Sequence, residues 1–372
     1  MKTHIKKSYT IAVLFILMIA YSADAQLLQD PETYAKIKAG VDHIYDLEFD
    51  EAESIYHYLQ SRYPNHSIPY LFKGLIIYWQ NFPIIPGSPN SNIFVKTLEK
   101  SYNLAKQRYK TDENDAENLL SGIGAAGLLL LYFADNGMAR SVISLAPETY
   151  KFVMRSFEFT DVYYDFYFIT GLYNYYREAY PEEHPIYRPV TVFFPHGDKK
   201  LGLKQLKLAS DSSLFLKAES NSFLAGIYQN FESKPATAWH YSKKLTLRYR
   251  KNTEFRTDYI RDLLISKNYT EAEKMLEKMP NPSGNSYLQA QVDILNGIIN
   301  EKIYRNDKNA KKLYWSGIRK AEAYKDFGHE YMAYAYFGLS RISKRADDFK
   351  QMKKYRKTAR NLTNYEHVNF DD

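Results

Sequence analysis

Four sets of residues carry types and spacings that ligand chemistry uses. Gly122, Gly124 and Gly127 spell G-x-G-x-x-G. In a dinucleotide site such glycines follow a strand and open a helix, so that backbone N–H groups meet a pyrophosphate. Residues 112–121 already read as helix, so these glycines are expected to let a neighbouring helix approach, and no cofactor is assigned. The run from Gly197 to Lys204 is a near miss for a phosphate loop. That loop needs Lys directly after its second glycine and then Ser or Thr, whereas Leu203 and Lys204 follow Gly202. Asp198 is better read as a helix N-cap.

Glu182, Glu183, His184, His196 and Asp198 bracket one long loop. Carboxylate and imidazole together can hold zinc, but loop residues of this kind are ordinarily solvated, and no metal is assigned. No H-E-x-x-H helix is present: His329-Glu330 is followed by Tyr331, Met332 and Ala333. The fourth set is aromatic. The chain has 35 Tyr and 21 Phe against 3 Trp, and residues 161–180 hold nine Tyr or Phe. Such rings either fill a core or line a groove that grips a partner, since Tyr offers area with a polar tip. Core filling is the main expectation.

The elements that must position these residues are helical. Apolar residues recur at three- and four-residue spacing nearly throughout, without sustained strand-type alternation. Asp30-Pro31 reads as a cap followed by proline at the first helical position. Pro64-Asn65, Pro83, Pro86-Gly87, Pro181, Pro195, Pro280 and Pro282-Ser283-Gly284 punctuate the periodic stretches. About sixteen helices paired into about eight hairpins follow, with a mean repeat of roughly forty residues. The predicted fold is all-α, an α-α superhelix of tetratricopeptide type spanning residues 26–372 as one domain, with a possible subdivision near 180–197.

The repeat can be checked by its small residues, which sit twelve positions apart where paired helices cross. Gly40 and Ala52 have that spacing, with Tyr56 and Pro64 after them. Gly226 and Ala238 repeat it, with Leu245 after them and Arg250 in the place of the closing proline. Ile260 and Ala272 form a weaker copy. Such units stack and curve around a concave groove. If Gly171 takes the small position of its unit, Asp165, Tyr175 and Tyr176 fall on groove-facing positions, and Asn230 does so in the next unit. These four are the candidate partner-binding residues; no catalytic residue is assigned.

The central third carries a resemblance. It runs through Gly171-Leu172-Tyr173-Asn174-Tyr175-Tyr176, Pro181, and Phe193-Phe194-Pro195-His196-Gly197-Asp198 to Gly202-Leu203 and Leu206. It continues through Ala218-Glu219, Gly226-Ile227-Tyr228, Phe231-Glu232, Pro235-Ala236-Thr237-Ala238, Leu245 and Arg248-Tyr249. This order, over residues 118–252, is similar to bacterial tetratricopeptide proteins related to the tetratricopeptide-repeat thirty-nine family, which includes the yeast inclusion-body clearance protein. The resemblance implies a helical-repeat fold and an adaptor-like role, and offers no catalytic residues to carry over.

Compartment and charge narrow the function. Lys2, Lys6 and Lys7, an apolar run over residues 11–21 and Ala23-Asp24-Ala25 read as an export signal cleaved after Ala25. The mature chain is therefore expected to be periplasmic or extracellular. Zero Cys removes disulfides, thiol chemistry and lipidation at Cys. The net charge of +7 concentrates near the C-terminus, where nine Lys or Arg between Arg341 and Arg360 face Asp347 and Asp348. The remainder is nearly neutral, which argues against nucleic acid.

The final helix, near residues 348–363, is expected to put Phe349, Met352, Ala359 and Leu362 on a packed face and its basic residues on a solvated one. That basic face would at most touch anionic envelope surfaces peripherally. Residues 119–134 carry no charge but fall short of a membrane span; a helix buried on all sides is expected there, and no transmembrane span after signal removal. The function that follows is a non-catalytic scaffold or adaptor of the cell envelope, holding a protein partner in the concave groove. The alternative is a glycan-binding or enzymatic accessory using the Tyr-rich central helices.

Overall fold

The computed structural model describes residues 27–281, 284–363 and 370. The expected export signal, and Pro282-Ser283 of one expected break, lie outside the described residues.

Local sequence sets where the helices begin. The carboxylate of Asp30 accepts the Thr33 N–H at 3.2 Å and opens α1 (Pro31–Tyr45). After α2 (Phe49–Arg62), the ring of His66 accepts the Ile68 N–H at 3.2 Å and opens α3 (Ser67–Gln80). Following α4 (Ser91–Thr111), Asp115 caps α5 (Ala116–Asp135) through the Asn118 N–H. Then come α6 (Ala139–Ser156) and α7 (Asp165–Glu183). Asp198 caps α8 (Lys199–Ser212) by accepting the N–H groups of Lys200 and Leu201 at 2.8 and 3.0 Å. A carboxylate thus sits on the helix N-terminus that the phosphate-loop reading would have offered to an anion.

The second half continues with α9 (Lys217–Asn230), α10 (Pro235–Arg248), α11 (Thr253–Ile265) and α12 (Tyr269–Glu277). It ends with α13 (Ser286–Lys302), α14 (Asp307–Ala321), α15 (Asp326–Arg345) and α16 (Phe349–Leu362). These sixteen helices form the eight expected hairpins, and the described residues contain no strand. Each helix packs on the next, and odd-numbered helices also pack on odd-numbered neighbours (α1 on α3, α3 on α5, α11 on α13, α13 on α15). That is the geometry of an α-α superhelix whose first helices face inward.

The small-residue register holds in part. A Cβ at Gly40 would lie 2.5 Å from the Phe72 ring, and Ala52 is fully buried. Ala238, Ile260 and Ala272 are fully buried as well. Gly226 has nothing within 4 Å of where its Cβ would be, so the tight crossing expected there is absent. Helices α7 and α8 approach backbone to backbone, where a Cβ on Gly202 would stand 2.7 Å from the Tyr175 nitrogen and 2.8 Å from the Gly171 carbonyl oxygen.

Pro181 lies inside the last turn of α7 and does not end it. The loop near 180–197 does not part the core, since Tyr175 before it and Leu206 after it belong to one buried cluster. Of the three glycines at 122, 124 and 127, the first two meet Ala105, Phe152 and Leu71, while Gly127 faces open space. They lie within α5, past its first turn, and not at a strand-to-helix turn. The same helix is not buried on all sides as expected: Gly127, Leu131 and Ala134 are exposed. By length and composition α5 is the one described helix that would cross a membrane, and 67% of its most apolar stretch is packed inside the array.

The array turns back on itself. Arg248 forms a two-pronged ion pair with Asp42 of α1, with nitrogen–oxygen distances of 2.8 and 2.9 Å. Asp46 accepts the Lys251 N–H at 2.8 Å, and the Asn252 amide donates to the Tyr45 carbonyl at 2.8 Å. Farther around, the Phe82 ring meets Tyr287 at 6.0 Å and Phe327 at 5.8 Å.

Candidate functional site

Because the array turns back on itself, its concave side narrows to a partly enclosed chamber. The cavity is about 390 Å³ and is walled by α1, α3, α5, α9, α11, α13 and α15, with Phe82 from the α3–α4 loop. Every odd helix except α7 contributes to it. This follows from hairpin stacking, in which the first helix of each unit points to the axis.

Two kinds of side chain meet there. Rings come from α3 (Tyr78, Trp79), from Phe82, from Phe223 and Phe255, and from α13 and α15 (Tyr287, Phe327, Tyr331). Trp79 packs edge-on to Phe255 at 5.1 Å and stacks on Phe82 at 5.9 Å. Carboxylates come from Asp135, Glu219, Glu254, Asp258, Asp326 and Glu330, against the single cation Arg261. The Arg261 guanidinium lies 2.8 Å from Asp258, 3.0 Å from Asp262 and 3.7 Å from Glu330.

Burial works against these charges. It pushes the Glu254 carboxyl up to about 8; the Gln291 amide, donating at 2.9 Å, pulls the other way. Burial also raises Glu219 to about 7, opposed by the hydroxyl of Tyr45, which donates to it. Asp258 and Asp135 each rise to about 6, Asp258 by burial despite Arg261, and Asp135 by burial with the Asp326 charge adding to it. A carboxyl that ionises this late lacks enough positive charge to offset its burial, and of these four only Asp258 pairs with a cation.

The sequence-predicted residues lie elsewhere. Asp165 does not face a groove: it is 2% exposed, and its carboxylate accepts the N–H groups of Leu214, Phe215 and Leu216 at 2.8–2.9 Å. It thereby fixes the turn that leads into α9. Tyr175 is fully buried, and its hydroxyl donates to Glu232 at 2.7 Å. Tyr176 packs edge-on to Phe231 at 5.3 Å and to Phe223 at 6.5 Å, so it stands one ring behind the chamber wall. Asn230 is half-buried at the far end of α9, eleven residues beyond Glu219. The expected groove placement is corrected for Asp165 and Tyr175, because both side chains are buried and α7 adds no residue to the chamber wall.

The acidic and histidine residues of the 180–197 loop do not converge. Lys199 pairs with Glu182 at 2.8 Å, His196 lies 3.5 Å from Glu178, and Asp198 is the α8 cap. Among the described residues, no group of three or more His, Asp or Glu is placed to hold a metal.

At the C-terminal cap, Ala359 is buried as expected, but Phe349 is 53% exposed. Two of the nine basic residues counted there point inward. Arg341 and Arg345 donate to Glu301 at 2.8–3.2 Å.

The sequence carried one signal for the chamber that its motifs did not. Glu254, Asp258, Arg261 and Asp262 share α11 with Phe255, Tyr259, Ile260, Leu263 and Leu264. A helix that is apolar over so much of its surface and still carries these four charges beside Arg256 must set them either in water or against one another across a polar interior. Compared with models of known protein families and with curated proteins, the chain matches none. The chamber itself therefore carries the functional assignment.

Proposed function

We propose that the chain is a non-catalytic scaffold or adaptor of the cell envelope that takes a segment of a protein partner into its axial chamber. The observation that carries this reading is the convergence of seven inward helices on one cavity lined with rings and carboxylates. Rings gathered in a desolvated pocket are the usual anchors of a binding surface. The resemblance to the thirty-nine family adds an adaptor role, and the lysines, the apolar run and the Ala-x-Ala at the start of the chain add export with cleavage after Ala25. The solvated lysines of α16 would then touch anionic envelope surfaces only peripherally.

The convergent carboxylates favour a second reading. A glycan-binding or enzymatic accessory also sets rings beside carboxylates, which stack on sugar faces and accept sugar hydroxyls. If so, the sugar sits in the chamber and not on the Tyr-rich α7.

The test is crosslinking in cells, with a photoreactive residue at Leu131 or Phe223, on exposed positions of the chamber wall, and at Ile143 on the outside of α6 as control. Adducts to one or two envelope proteins from the chamber positions, absent from Ile143, support the scaffold. Glycan adducts support the accessory, and adducts that do not distinguish the three positions sink both.

A further inference from the structure

The chain has a net charge of +7, yet its chamber has six carboxylates against Arg261 alone. Asp135 and Glu219 have no cation among the groups that shift them, and Glu254 has only Arg261. Asp326 lies 3.3 Å from His329.

A second, independent observation concerns neutral groups. Tyr331 is 3% exposed and Gln291 is 2% exposed, and both line the chamber. The Tyr331 hydroxyl and the Gln291 carbonyl oxygen have no hydrogen-bond partner. One oxygen of Glu219 lacks one too. The Gln291 nitrogen is already committed to Glu254. Ionised carboxylate and amide oxygens only accept, so what Gln291 and Glu219 lack is N–H or O–H donors, while the Tyr331 hydroxyl can accept or donate. Buried acceptors without donors are rare in folded proteins and call for an explanation. The walls, meanwhile, present ring faces, which attract cations.

We propose that the chamber recognises a cationic N–H donor on an apolar stem, a primary ammonium or a guanidinium group, presented as a Lys or Arg side chain of the partner segment. The inference rests on the reading that the chamber is the binding site. Arg261 is the internal precedent, since the same wall already holds one guanidinium between Asp258, Asp262 and Glu330. The cavity of about 390 Å³ accepts such a side chain together with part of its backbone; small-ligand pockets start at roughly 300 Å³.

The test uses the full chain and four probes: lysine and norleucine, each capped at both ends as the amide, free butylamine, and tetramethylammonium. Binding is followed by titration calorimetry and by the emission of Trp79, a chamber ring. Capped lysine is expected to bind at least about tenfold tighter than capped norleucine, the gain of one charge-assisted hydrogen bond network over none. Tetramethylammonium, which has no N–H, is expected to bind weakly. E254Q and D258N, which keep shape and lose charge, should each weaken capped lysine about tenfold, with the fold checked by circular dichroism. W79F should remove the emission change and leave the heat.

Affinity should rise from pH 5.5 to 8.5 as Asp135, Asp258, Glu219 and Glu254 ionise. The groups facing them are Asp326 for Asp135, Tyr45 and Asp165 for Glu219, Gln291, Asp258 and Arg261 for Glu254, and Arg261, Asp262 and Glu330 for Asp258. Butylamine binding as tightly as capped lysine would move the source from a protein side chain to a free amine. Equal binding of capped norleucine, unchanged binding in both carboxamide variants, or no binding of any probe overturns the proposal. A chamber that crosslinks a protein partner but ignores all four probes would overturn this inference and leave the scaffold standing.

Discussion

Helix α13 carries two acidic environments that behave in opposite ways. Near its end, Glu301 is fully buried and yet holds its carboxyl below the usual range. Burial alone would raise it; Arg341, Arg345 and the Tyr314 hydroxyl, which donates at 2.7 Å, more than reverse that. Near its start, Gln291 faces Glu254, which burial pushes up to about 8 with little to oppose it. Burial of a carboxylate is thus not what distinguishes the chamber, because Glu301 is the more deeply buried of the two. The difference is whether the fold supplies its own positive charge. At Glu301 the cluster is complete and structural, and at the chamber it is left open for something else to complete.

Breaking the complete cluster gives the largest expected effect. E301A removes the carboxylate shared by Arg341, Arg345 and the Tyr314 hydroxyl, and should cost about 3–5 kcal/mol, read as a shift of the urea midpoint. D165A comes next, because three backbone N–H groups around Leu214–Leu216 lose their acceptor. A loss of about 2–3 kcal/mol is expected on the same measurement, and a variant as stable as the parent would remove Asp165 from the structural side of the comparison.

The chamber should respond with the opposite sign. Its acids bind protons more tightly when folded than when unfolded, so the unfolded chain holds fewer protons between the two sets of values. Stability therefore falls as pH rises through 6 to 8. The melting temperature of the empty chain should drop by about 5 °C from pH 5.5 to pH 8.5, and capped lysine should narrow that drop.

E254Q should stabilise the chain by about 1–2 kcal/mol at pH 8.5 and change it little at pH 5.5. A destabilised E254Q at both values would place Glu254 with Glu301. The smallest effect belongs to α16: K353E or K354E, on the solvated side, should move stability by about 0.5 kcal/mol or less.

Much of this architecture was readable from residue types. Sixteen helices in eight hairpins follow from apolar periodicity broken by proline and cap residues, and Asp30 and Asp198 cap as their positions imply. Local signals of this kind act within a few residues, which is why they survive into the fold. The chamber was not readable in the same way. Its six carboxylates are spread over α5, α9, α11 and α15, with a four-residue spacing only within α11 (Glu254, Asp258) and within α15 (Asp326, Glu330), and only the folding of α1 and α3 onto α10, α11, α13 and α15 brings them to one axis. The candidate residues Asp165, Tyr175 and Tyr176 were placed by extending one unit's phase to α7. That extension fails because Asp165 and Tyr175 are buried and α7, packed backbone to backbone on α8 at Gly171 and Gly202, lines no part of the chamber.

The contacts of Asp42 with Arg248 and of Asp46 with Lys251 join positions 205 and 206 residues apart. In an open repeat array each unit interacts only with its neighbours, so folding can start anywhere and the ends fray independently. Here the first hairpin is also a neighbour of the fifth and sixth. That long loop must close before its contacts form, which raises the contact order and slows folding relative to an open array of equal length. It also couples the two halves, so that loss of α1 would unzip the array from its middle as well as from its end.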